Sequence, residues 1–598
     1  MSFLPLLSLL GCANVVTIAS AKQIRNEDVH LSSGTAPLWA TLQLQLLGQL
    51  SASALAFSER YLDQRARLKF EGNVDDSRDG ADDFLEPFAA WPLLAEATGS
   101  RDLSELTDKI HGGVTLQLDD LGFTNDGVDL GTDWFHQGEG NQFRYNLLAI
   151  GRRGLAAAMV VRQANSIVDP AYGNYDPRTN ILRAPHPGVM GPRWGYRNRT
   201  DDLPFDAGME RYGLPLVGID GVRAFADLNE PVASRSMGRA MRDRMGRGDV
   251  AMNLASTGVV LAAWRLTGEI AYSNWITRYV DGWIERAERN GGLLPDNVGV
   301  DGVVGSYQSG SWWGGLYGWH WPHGFHSVAN AAAVGSLSAF EVSGDDRYLD
   351  LIRGQLDSNY ELGRTERLTE SVGALRNEYL SRFEADELHE TALLTPHRFG
   401  PDGWFDYLPA EPTLPLAIWR ASGRGQDLAR IERLKAASSY DWKRVRATRL
   451  KEDSGHEEPW FEYLAGRNAD YPSDSMKVSL EVLAQRERQI EEDLVGAGSD
   501  VHHWQRLNPV SMEHLLHLRY ASPSPIYYGG LLSSRVRVTS ESKLAVLTSE
   551  NHGAVQVELV NTGSQVSATV EAFGQSRSVH VPQASAQIVE LKFPDANR

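Results

Sequence analysis

One pattern recurs four times along the chain and restricts what it can fold into. In each copy an apolar helical segment ends in Thr-Gly or Ser-Gly and is followed by a polar turn and a second amphipathic segment. The glycine stands where the end of a helix needs a left-handed residue, a conformation that glycine adopts without steric cost. The four glycines are Gly99, Gly268, Gly344 and Gly423. The pattern predicts helical hairpins and a mainly α fold.

Repeated hairpins build either an open solenoid or a closed ring. The copies start at Leu93, Leu261, Leu337 and Leu416, so the intervals between them are unequal and leave room for long loops. Unequal intervals do not suit a uniform stack, and we therefore expect a closed (α/α) toroid over residues 22–520. Long loops on such a ring are where binding residues usually lie.

The sequence changes character after Pro523. Alternating β-branched residues are broken by Asn-Thr-Gly and Gly-Gln-Ser turns, a pattern typical of antiparallel strands. We expect a small β-sandwich-like module over residues 525–594, packed on the helical domain.

The N-terminal segment has the pattern of a leader for export. Residues 3–19 are apolar and Ala19-Ser-Ala21 fits a cleavage site, although no Lys or Arg precedes the apolar run. We expect residues 1–21 to be a signal peptide and the mature protein to be secreted or periplasmic. A lipoprotein anchor on Cys12 and an ordinary buried N-terminal segment are the alternatives. Cys12 is the only cysteine, so cleavage would leave no disulfide, and no other segment is apolar enough to span a membrane.

Composition indicates the class of partner. A net charge of −19 argues against a nucleic-acid partner, because binding phosphates requires clustered Lys and Arg. The charge does not exclude an acidic glycan, since a local arginine cluster can override the global sign. The 16 Trp exceed what a core needs, and flat aromatic rings suit the apolar faces of sugars. We expect a carbohydrate partner.

The densest candidate site is the segment 291–327, in which glycines alternate with Trp, Tyr and His. Glycine beside aromatic rings suits a backbone that approaches a ligand while the rings stack on it. We expect proton carriers at Tyr317, His320 and His323. We expect substrate contacts at Trp312, Trp313, Trp319, Trp321 and His326. The alternative is a glycine-rich loop whose aromatic side chains fill the mouth of the helical domain.

The three histidines of this segment also raise the question of a metal. His320, His323 and His326 are three residues apart, a spacing that would align ligands on a helix. Pro322 and Gly324 argue against a helix here, so we expect no metal site and no cofactor. Proton transfer suits these histidines better, because the ordinary pKa of histidine lies near neutrality.

A second candidate site lies in GTDWFHQGEGNQFR, which starts at Gly131. Its Asp, His and Glu are spaced by three residues, so one helical turn would align them, although the glycines make that turn irregular. We expect Asp133 and Glu139 to be catalytic and Trp134 and His136 to bind substrate. The alternative is a capping cluster in which Glu139 or Asn141 serves the N-terminus of the following helix.

Two further groups of polar residues are candidates. Asp296 and Asp301 in LLPDNVGVDG are possible catalytic acids, although aspartate is common in turns for local reasons. The second group consists of arginines, whose guanidinium groups can bind a carboxylate or a sulfate, and one asparagine. The alternative is that the arginines form a solvated basic face. These substrate-binding candidates are Arg193, Arg197, Arg247 and Asn253.

Several common motifs are absent from the sequence. It contains no G-x-x-x-x-G-K-[ST], no dinucleotide-binding G-x-G-x-x-G after a strand, no G-x-S-x-G and no H-E-x-x-H. Nucleotide, flavin, serine-hydrolase and zinc-protease chemistry therefore lose most of their support.

The helical hairpins, the WWGGLYGWHWPHGFH loop and the terminal β-module together resemble the (α/α) toroid enzymes of carbohydrate metabolism. That group includes glucuronidase-like glycoside hydrolases and polysaccharide lyases. The resemblance covers roughly residues 30–520 and is architectural. It implies an enzyme that acts on carbohydrate and leaves the reaction open.

Three hypotheses for the function follow. The first is an exo-acting glycoside hydrolase on a uronic-acid-containing or other plant, algal or microbial glycan, with one catalytic acid from each of the two acidic segments. The second is a polysaccharide lyase, in which Asn253 or Arg247 neutralises the uronate and a His or Tyr of the aromatic loop takes the C5 proton. The third is a sugar isomerase or epimerase, or a glycan-binding protein without catalysis.

Overall fold

The computed structural model describes residues 28–29, 36–72, 81–194, 202–447, 457–493, 498, 503–524, 536–551 and 554–592. The expected signal peptide, 1–21, lies outside the described residues. The helices are α1 (Leu38–Tyr61), α2 (Asp82–Leu85), α3 (Trp91–Thr98), α4 (Arg101–Leu121), α5 (Trp134–Ala149), α6 (Gly154–Val168), α7 (Ala207–Glu210), α8 (Pro231–Arg244), α9 (Thr257–Thr267), α10 (Ile270–Arg289), α11 (Phe325–Ser343), α12 (Leu349–Glu361), α13 (Arg376–Leu380), α14 (Thr413–Ser422), α15 (Gly425–Ala437), α16 (Glu457–Leu464), α17 (Tyr471–Glu492), α18 (His503–Leu507) and α19 (Glu513–Tyr520).

The strands are shorter and concentrate near the C-terminus. They are β1 (Asp28–Val29), β2 (Thr124–Asn125), β3 (Val128–Asp129), β4 (Tyr175–Asp176), β5 (Ile181–Leu182), β6 (Asp249–Val250), β7 (Asn297–Val298), β8 (Arg364–Arg367), β9 (Thr391–Gly400), β10 (Gly403–Pro409), β11 (Arg537–Ser540), β12 (Ala545–Asn551), β13 (Ala554–Asn561), β14 (Val566–Ala572), β15 (Gln575–Val581) and β16 (Ser585–Lys592). The fold is mainly α with a C-terminal antiparallel β domain, as predicted.

The long helices pair into hairpins that follow one another around a ring. α3–α4, α5–α6, α9–α10, α11–α12 and α14–α15 are hairpins, and the first helix of each packs on the first helix of the next. From α14 the ring continues through α16 to α17, which packs along α1, and α1 packs on α3. The hydroxyl of Tyr61 in α1 donates to Asp493, just after α17, over 2.6 Å. The ring is therefore closed, and the predicted toroid is confirmed.

Burial shows why helices such as α11 lie inside the ring. α11 is buried without interruption from Ser327 to Ala339, and this stretch consists mainly of small or apolar residues. A helix without a polar face has to be surrounded by other elements. Small residues also let neighbours approach, since a Cβ at Gly335 would lie 2.9 Å from the side chain of Leu254.

The four glycines of the hairpin pattern end their helices as predicted. Gly99, Gly268, Gly344 and Gly423 have φ of +60°, +69°, +70° and +66°. Gly344 has open space around it, so its φ alone requires glycine. Gly99 in addition lets the C-terminal domain approach, because a Cβ there would lie 2.5 Å from the carbonyl oxygen of Ser540 in β11.

Two antiparallel sheets form the C-terminal domain. One has the strand order β1-β16-β13-β12 and the other the order β11-β14-β15. Alternate side chains, such as Val557 and Leu559 of the first sheet and Val570 and Val579 of the second, share one apolar core. The domain is the sandwich-like antiparallel module that the alternation predicted, with β1 joining it from the other end of the sequence.

Two local features differ from the sequence expectations. A three-stranded sheet, β10-β9-β8, lies between α12 and α14, where no strands were predicted. α5 begins at Trp134 and runs through Gly138 and Gly140, whereas we expected an irregular turn there. Among the described residues no helix is long and apolar enough to cross a membrane.

Candidate functional site

The N-terminal ends of α5, α11, α14 and α16 meet at one end of the ring. Tyr317, in the segment before α11, contacts His136 in the first turn of α5. Thr413, the first residue of α14, lines one cavity with His326 of α11 and donates to Glu457, the first residue of α16. This end of the ring gathers polar side chains from elements that are far apart in sequence, and we treat it as the candidate site.

Asp133 caps α5 and holds His136. Its carboxylate accepts the backbone N–H of His136 over 3.2 Å, and both of its oxygens lie 3.0 Å from Nδ1 of the His136 ring. Burial alone would raise the pKa of Asp133, but the neighbouring His136 and His186 outweigh it and hold that pKa below its usual value. The helix therefore is capped from this cluster, with Asp133 as the cap instead of Glu139 or Asn141.

Gly140 brings a further acidic residue to this point. A Cβ at Gly140 would lie 3.2 Å from Cα of Asp82, so a larger residue would push α2 away from α5. Asp82, His136 and Glu139 are all buried, and each offers one oxygen or nitrogen that lies within 4.8 Å of the others. The helical spacing of His136 and Glu139 thus produces a real cluster, which Asp82 completes from another element.

Negative charge is crowded around Asp82. Burial first, and then the charge of Asp83, raise the pKa of Asp82 well above its usual value. Asp82 is 2% exposed, and neither of its carboxylate oxygens has a hydrogen-bond partner among the described residues. Asp83 and Glu86, by contrast, both accept from the side-chain amide of Gln505, which lies 2.6 Å from Asp83. Asp82 is therefore held beside His136 without the donors that normally stabilise a buried carboxylate.

His186 and Trp194 lie on another side of Asp133. Nε2 of His186 is 3.9 Å from Asp133, and its ring stacks on Trp194 with 5.2 Å between the centroids. Burial lowers the pKa of His186 to about 4, so its ring is neutral at pH 7. The backbone N–H of Arg193 donates to the carbonyl of His186 over 2.9 Å, and the Arg193 side chain lies against Gly131. One arginine of the predicted basic group therefore stands next to the site.

Tyr317 and His323 bring the glycine-rich loop to the same point. The ring of Tyr317 stacks on Phe135 at 4.6 Å between centroids and meets the rings of His136 and His323 edge-on. Nε2 of His323 lies 3.2 Å from the hydroxyl of Tyr212, and its buried Nδ1 has no hydrogen-bond partner among the described residues. Burial lowers the pKa of His323 well below its usual value, so this ring is neutral at pH 7.

His320 bonds elsewhere, whereas the ring of His326 meets that of His323 edge-on, with 6.1 Å between the centroids. Nδ1 of His320 lies 3.0 Å from the carbonyl oxygen of Phe399. His326 lines a cavity of about 60 Å³ between α11, α12, α14 and β9. The hydroxyl of Tyr360 and Nδ1 of His397 belong to the same lining and have no hydrogen-bond partner within the described ranges. Of the predicted proton carriers, Tyr317 and His323 are the two that contact the residues around His136.

The carboxylates of Asp296 and Asp301 are bonded within their own loop. Asp296 is fully buried. It accepts three backbone N–H groups, over 3.0, 2.8 and 2.7 Å, from Gly314, Gly315 and Trp319. Asp301 is exposed and accepts from the backbone of Val303 and the hydroxyl of Ser306. This bonding matches the local role that aspartate often has in turns.

The five predicted tryptophan contacts divide by exposure. Trp134, Trp319 and Trp321 are buried among core residues. Trp312 and Trp313 are half-buried. Of the five, the latter two are therefore the more open to a ligand.

The remaining predicted substrate-binding residues are Asn253, Arg247 and Arg197, and the two that the structure describes have partners elsewhere. Asn253 is fully buried, and its amide donates to Asp249 over 2.9 Å. Arg247 is exposed, with its guanidinium 5.9 Å above the ring of Tyr307. Arg197 lies outside the described residues. Neither Asn253 nor Arg247 bonds to the residues around His136.

Asp82 and His186 belong to the site but were not among the residues predicted from the sequence. An acidic pair such as Asp82-Asp83 at the start of a helix is favoured by the helix dipole alone, so it does not stand out as a site. His186 lies between two prolines and belongs to no spaced pattern. Both residues reach the site only through the packing of the ring.

Residues 28–516 match a family model described as a domain of unknown function (DUF8034). The match includes the Asp82, His136 and Glu139 cluster and the whole aromatic loop, and it ends within α19. No curated protein and no solved structure matches the chain. Because the model matches well over half of the chain, the protein belongs to the DUF8034 family.

Proposed function

We propose that this protein is a polysaccharide lyase that cleaves a uronate-containing glycan by β-elimination at the candidate site. The observation that carries the proposal is the convergence of Tyr317 and His323 on the Asp133–His136 pair. Tyr317 and His323 are half-buried rather than part of the fully buried core. They are two proton-carrying side chains in contact with each other at the mouth of a helical ring.

β-Elimination from a uronate needs a base for the C5 proton and an acid for the leaving oxygen. The C5–H and C4–O4 bonds break, a C4=C5 double bond forms, and the proton lost from C5 is balanced by the proton delivered to O4. Neutral His323 can accept the first proton, and the hydroxyl of Tyr317 can supply the second. Arg193, beside His186, adds positive charge near the place where the uronate carboxylate would lie.

Hydrolysis is a second candidate, favoured by a different observation. The buried carboxylates of Asp82 and Glu139 come within 4.8 Å of each other. Retaining glycosidases hold their two carboxyl groups about 5–5.5 Å apart. The pairing first expected, between α5 and Asp296 or Asp301, has less support because both aspartates bond within their own loop. Asp82 and Glu139 are buried, whereas Tyr317 and His323 are half-buried and so more open to a glycan, and elimination therefore ranks first.

We also propose that the protein is secreted or periplasmic and meets its glycan there. The proposal depends on residues 1–21, whose apolar run and small-residue cleavage site suit a signal peptide. The half-buried rings of Trp312 and Trp313 would then offer stacking surfaces for the sugar chain.

The test is a screen of the purified chain on uronate-containing and neutral glycans, with reducing ends and the ultraviolet absorbance of a 4,5-unsaturated uronide measured together. We expect both signals to rise on a uronate glycan. Tyr317→Phe should then lower kcat about 10²–10⁴-fold, because it removes the proton that O4 receives. Tyr307→Phe, on the same loop, should leave kcat within about twofold and is the matched control.

Other outcomes separate the hypotheses. New reducing ends without ultraviolet absorbance would refute elimination and support hydrolysis by Asp82 and Glu139. Wild-type kcat in Tyr317→Phe would refute the role given to Tyr317. Binding of a glycan with no cleavage on any substrate would refute both reactions and leave a glycan-binding protein.

A further inference from the structure

We infer that Asp82, His136 and Glu139 bind one divalent transition-metal ion. The inference deepens the proposed function. The role of the ion in catalysis rests on the proposed elimination, whereas the binding of the ion does not. From the sequence we expected no metal site, although the spacing of His136 and Glu139 marked both as candidate site residues. Asp82 lies on another element and outside every spaced pattern, so the third ligand could not be predicted.

The geometry of the cluster is close to that of a three-ligand metal site. The three ligand atoms lie within 4.8 Å of one another. Metal bonds of about 2.0–2.2 Å place neighbouring ligand atoms about 3–3.5 Å apart. The side chains therefore need to move inward by only about 1 Å, which is within the reach of small rotamer changes.

Asp82 supplies a second and independent observation. It is 2% exposed, and both of its carboxylate oxygens lack a hydrogen-bond partner throughout the described part of the chain. A buried carboxylate without donors is costly, and proteins retain such a group when it is paired or coordinates a metal. A cation between Asp82, His136 and Glu139 would provide the missing partner.

His136 is oriented as metal-binding histidines usually are. Its Nδ1 lies 3.0 Å from both oxygens of Asp133. A carboxylate on one ring nitrogen fixes the tautomer and the ring orientation and makes the other nitrogen a better ligand. With Nδ1 engaged by Asp133, Nε2 is the nitrogen that the inference assigns to the ion.

The ligand set indicates the kind of metal. Two carboxylates and one imidazole suit Zn²⁺ or Mn²⁺ better than Ca²⁺ or Mg²⁺, which take oxygen ligands. The nearby carboxylates of Asp83 and Glu86 add negative charge that favours a cation. Three protein ligands leave at least one coordination position for the substrate. In the proposed elimination this position takes the uronate carboxylate and neutralises it.

The test titrates Zn²⁺ and, separately, Mn²⁺ into the chelator-treated full chain by calorimetry. We expect one ion per chain. Asp82→Asn and Glu139→Gln should each weaken binding at least about 100-fold, since each removes one of three ligands. Asp133→Asn should weaken it about 10–100-fold, because Asp133 acts through His136. Asp301→Asn removes an exposed carboxylate that bonds within its own loop, so it is the control and should bind within about threefold of wild type.

Separate measurements distinguish loss of folding, loss of ion binding and loss of catalysis. Thermal melting without metal must give a midpoint no lower than that of wild type before the affinity of a variant is interpreted. Asp133→Asn and Glu139→Gln provide two variants besides Asp82→Asn. Equal affinity of wild type and Glu139→Gln for both ions would overturn the site. Full-rate formation of unsaturated product by the chelator-treated chain would overturn the role of the ion. Binding of one ion by a chain that cleaves no glycan would support the site while the proposed function fails.

Discussion

The most informative single change is Asp296→Asn, because it separates a structural carboxylate from a catalytic one. In this variant one carboxylate oxygen becomes an NH₂ group, which donates and does not accept. Oδ1 accepts from the backbone of Gly315 and the amide of Asn297, and Oδ2 accepts from the backbones of Gly314 and Trp319. Whichever oxygen is replaced, two donors lose their acceptor.

The expected cost follows from the burial of these groups. Asp296 is fully buried, and a buried donor left unsatisfied costs about 1–3 kcal/mol. Two such donors should destabilise the loop by about 2–6 kcal/mol, with no change in side-chain volume. Asp301→Asn is the matched control on the same loop. Its partners are Val303 and Ser306 and it lies at the surface, so its loss should stay below about 1 kcal/mol.

Hydrogen–deuterium exchange of peptides that cover residues 299–324 measures this effect locally. Each 1.4 kcal/mol corresponds to a tenfold change, so exchange in Asp296→Asn should be faster by at least about 30-fold, and kcat should fall as Tyr317 and His323 lose their positions. Asp301→Asn should exchange like wild type. Wild-type exchange in an Asp296→Asn protein that has lost its activity would refute the reasoning and make Asp296 a catalytic acid.

Two further changes test the electrostatics and the packing around the site. Burial raises the pKa of Glu457 to about 7. Between about pH 4.5 and 7 the unfolded chain therefore loses this proton while the folded chain keeps it. The free energy of unfolding consequently falls as the pH rises through this range. The free energy of unfolding, measured with urea at pH 4.5, 6 and 8, should decrease by about 3 kcal/mol less in Glu457→Gln than in wild type. The same pH dependence in variant and wild type would contradict this. Gly324→Ala would place a Cβ 1.9 Å from the carbonyl oxygen of His397 and should lower the free energy of unfolding by at least about 3 kcal/mol. Gly344→Ala, also at positive φ but with open space, should cost about 1–2 kcal/mol, and equal losses would show that φ alone matters at Gly324.

The parts of the fold that the sequence predicted depend on local chemistry. Gly268 and Gly344 end helices because of their own φ, which no distant residue changes. The strands of the C-terminal domain have one face in the core and show the alternation that follows from it. β9 was missed because nearly all of its residues are buried, so TALLTPHRFG has no alternation, and it contains a proline.

The site was predictable only in part, because only some of its residues follow a local pattern. Helical spacing placed His136 and Glu139 on one face, although Gly138 and Gly140 suggested an irregular turn. Gly140 is instead required by the close approach of α2, which brings Asp82 to the cluster. A local sequence pattern does not show which element packs against another. A site whose ligands come from two packed elements, such as α2 and α5, therefore cannot be predicted from local patterns alone.

Asp82 differs from two other buried acids of the ring, Asp427 and Asp249, in its hydrogen bonding. Asp427 contacts Arg353 at 2.7 Å and Asp249 accepts from the hydroxyl of Tyr279 at 3.0 Å, whereas Asp82 has no hydrogen-bond partner in the described ranges. Burying a carboxylate without donors costs more than burying a neutral amide of the same shape. Asp82→Asn should therefore raise the urea midpoint of the metal-free chain while it abolishes the added stability that Zn²⁺ gives the wild type. A lower midpoint in the absence of metal would show that Asp82 stabilises the fold directly, and the case for a ligand-binding carboxylate would then fail.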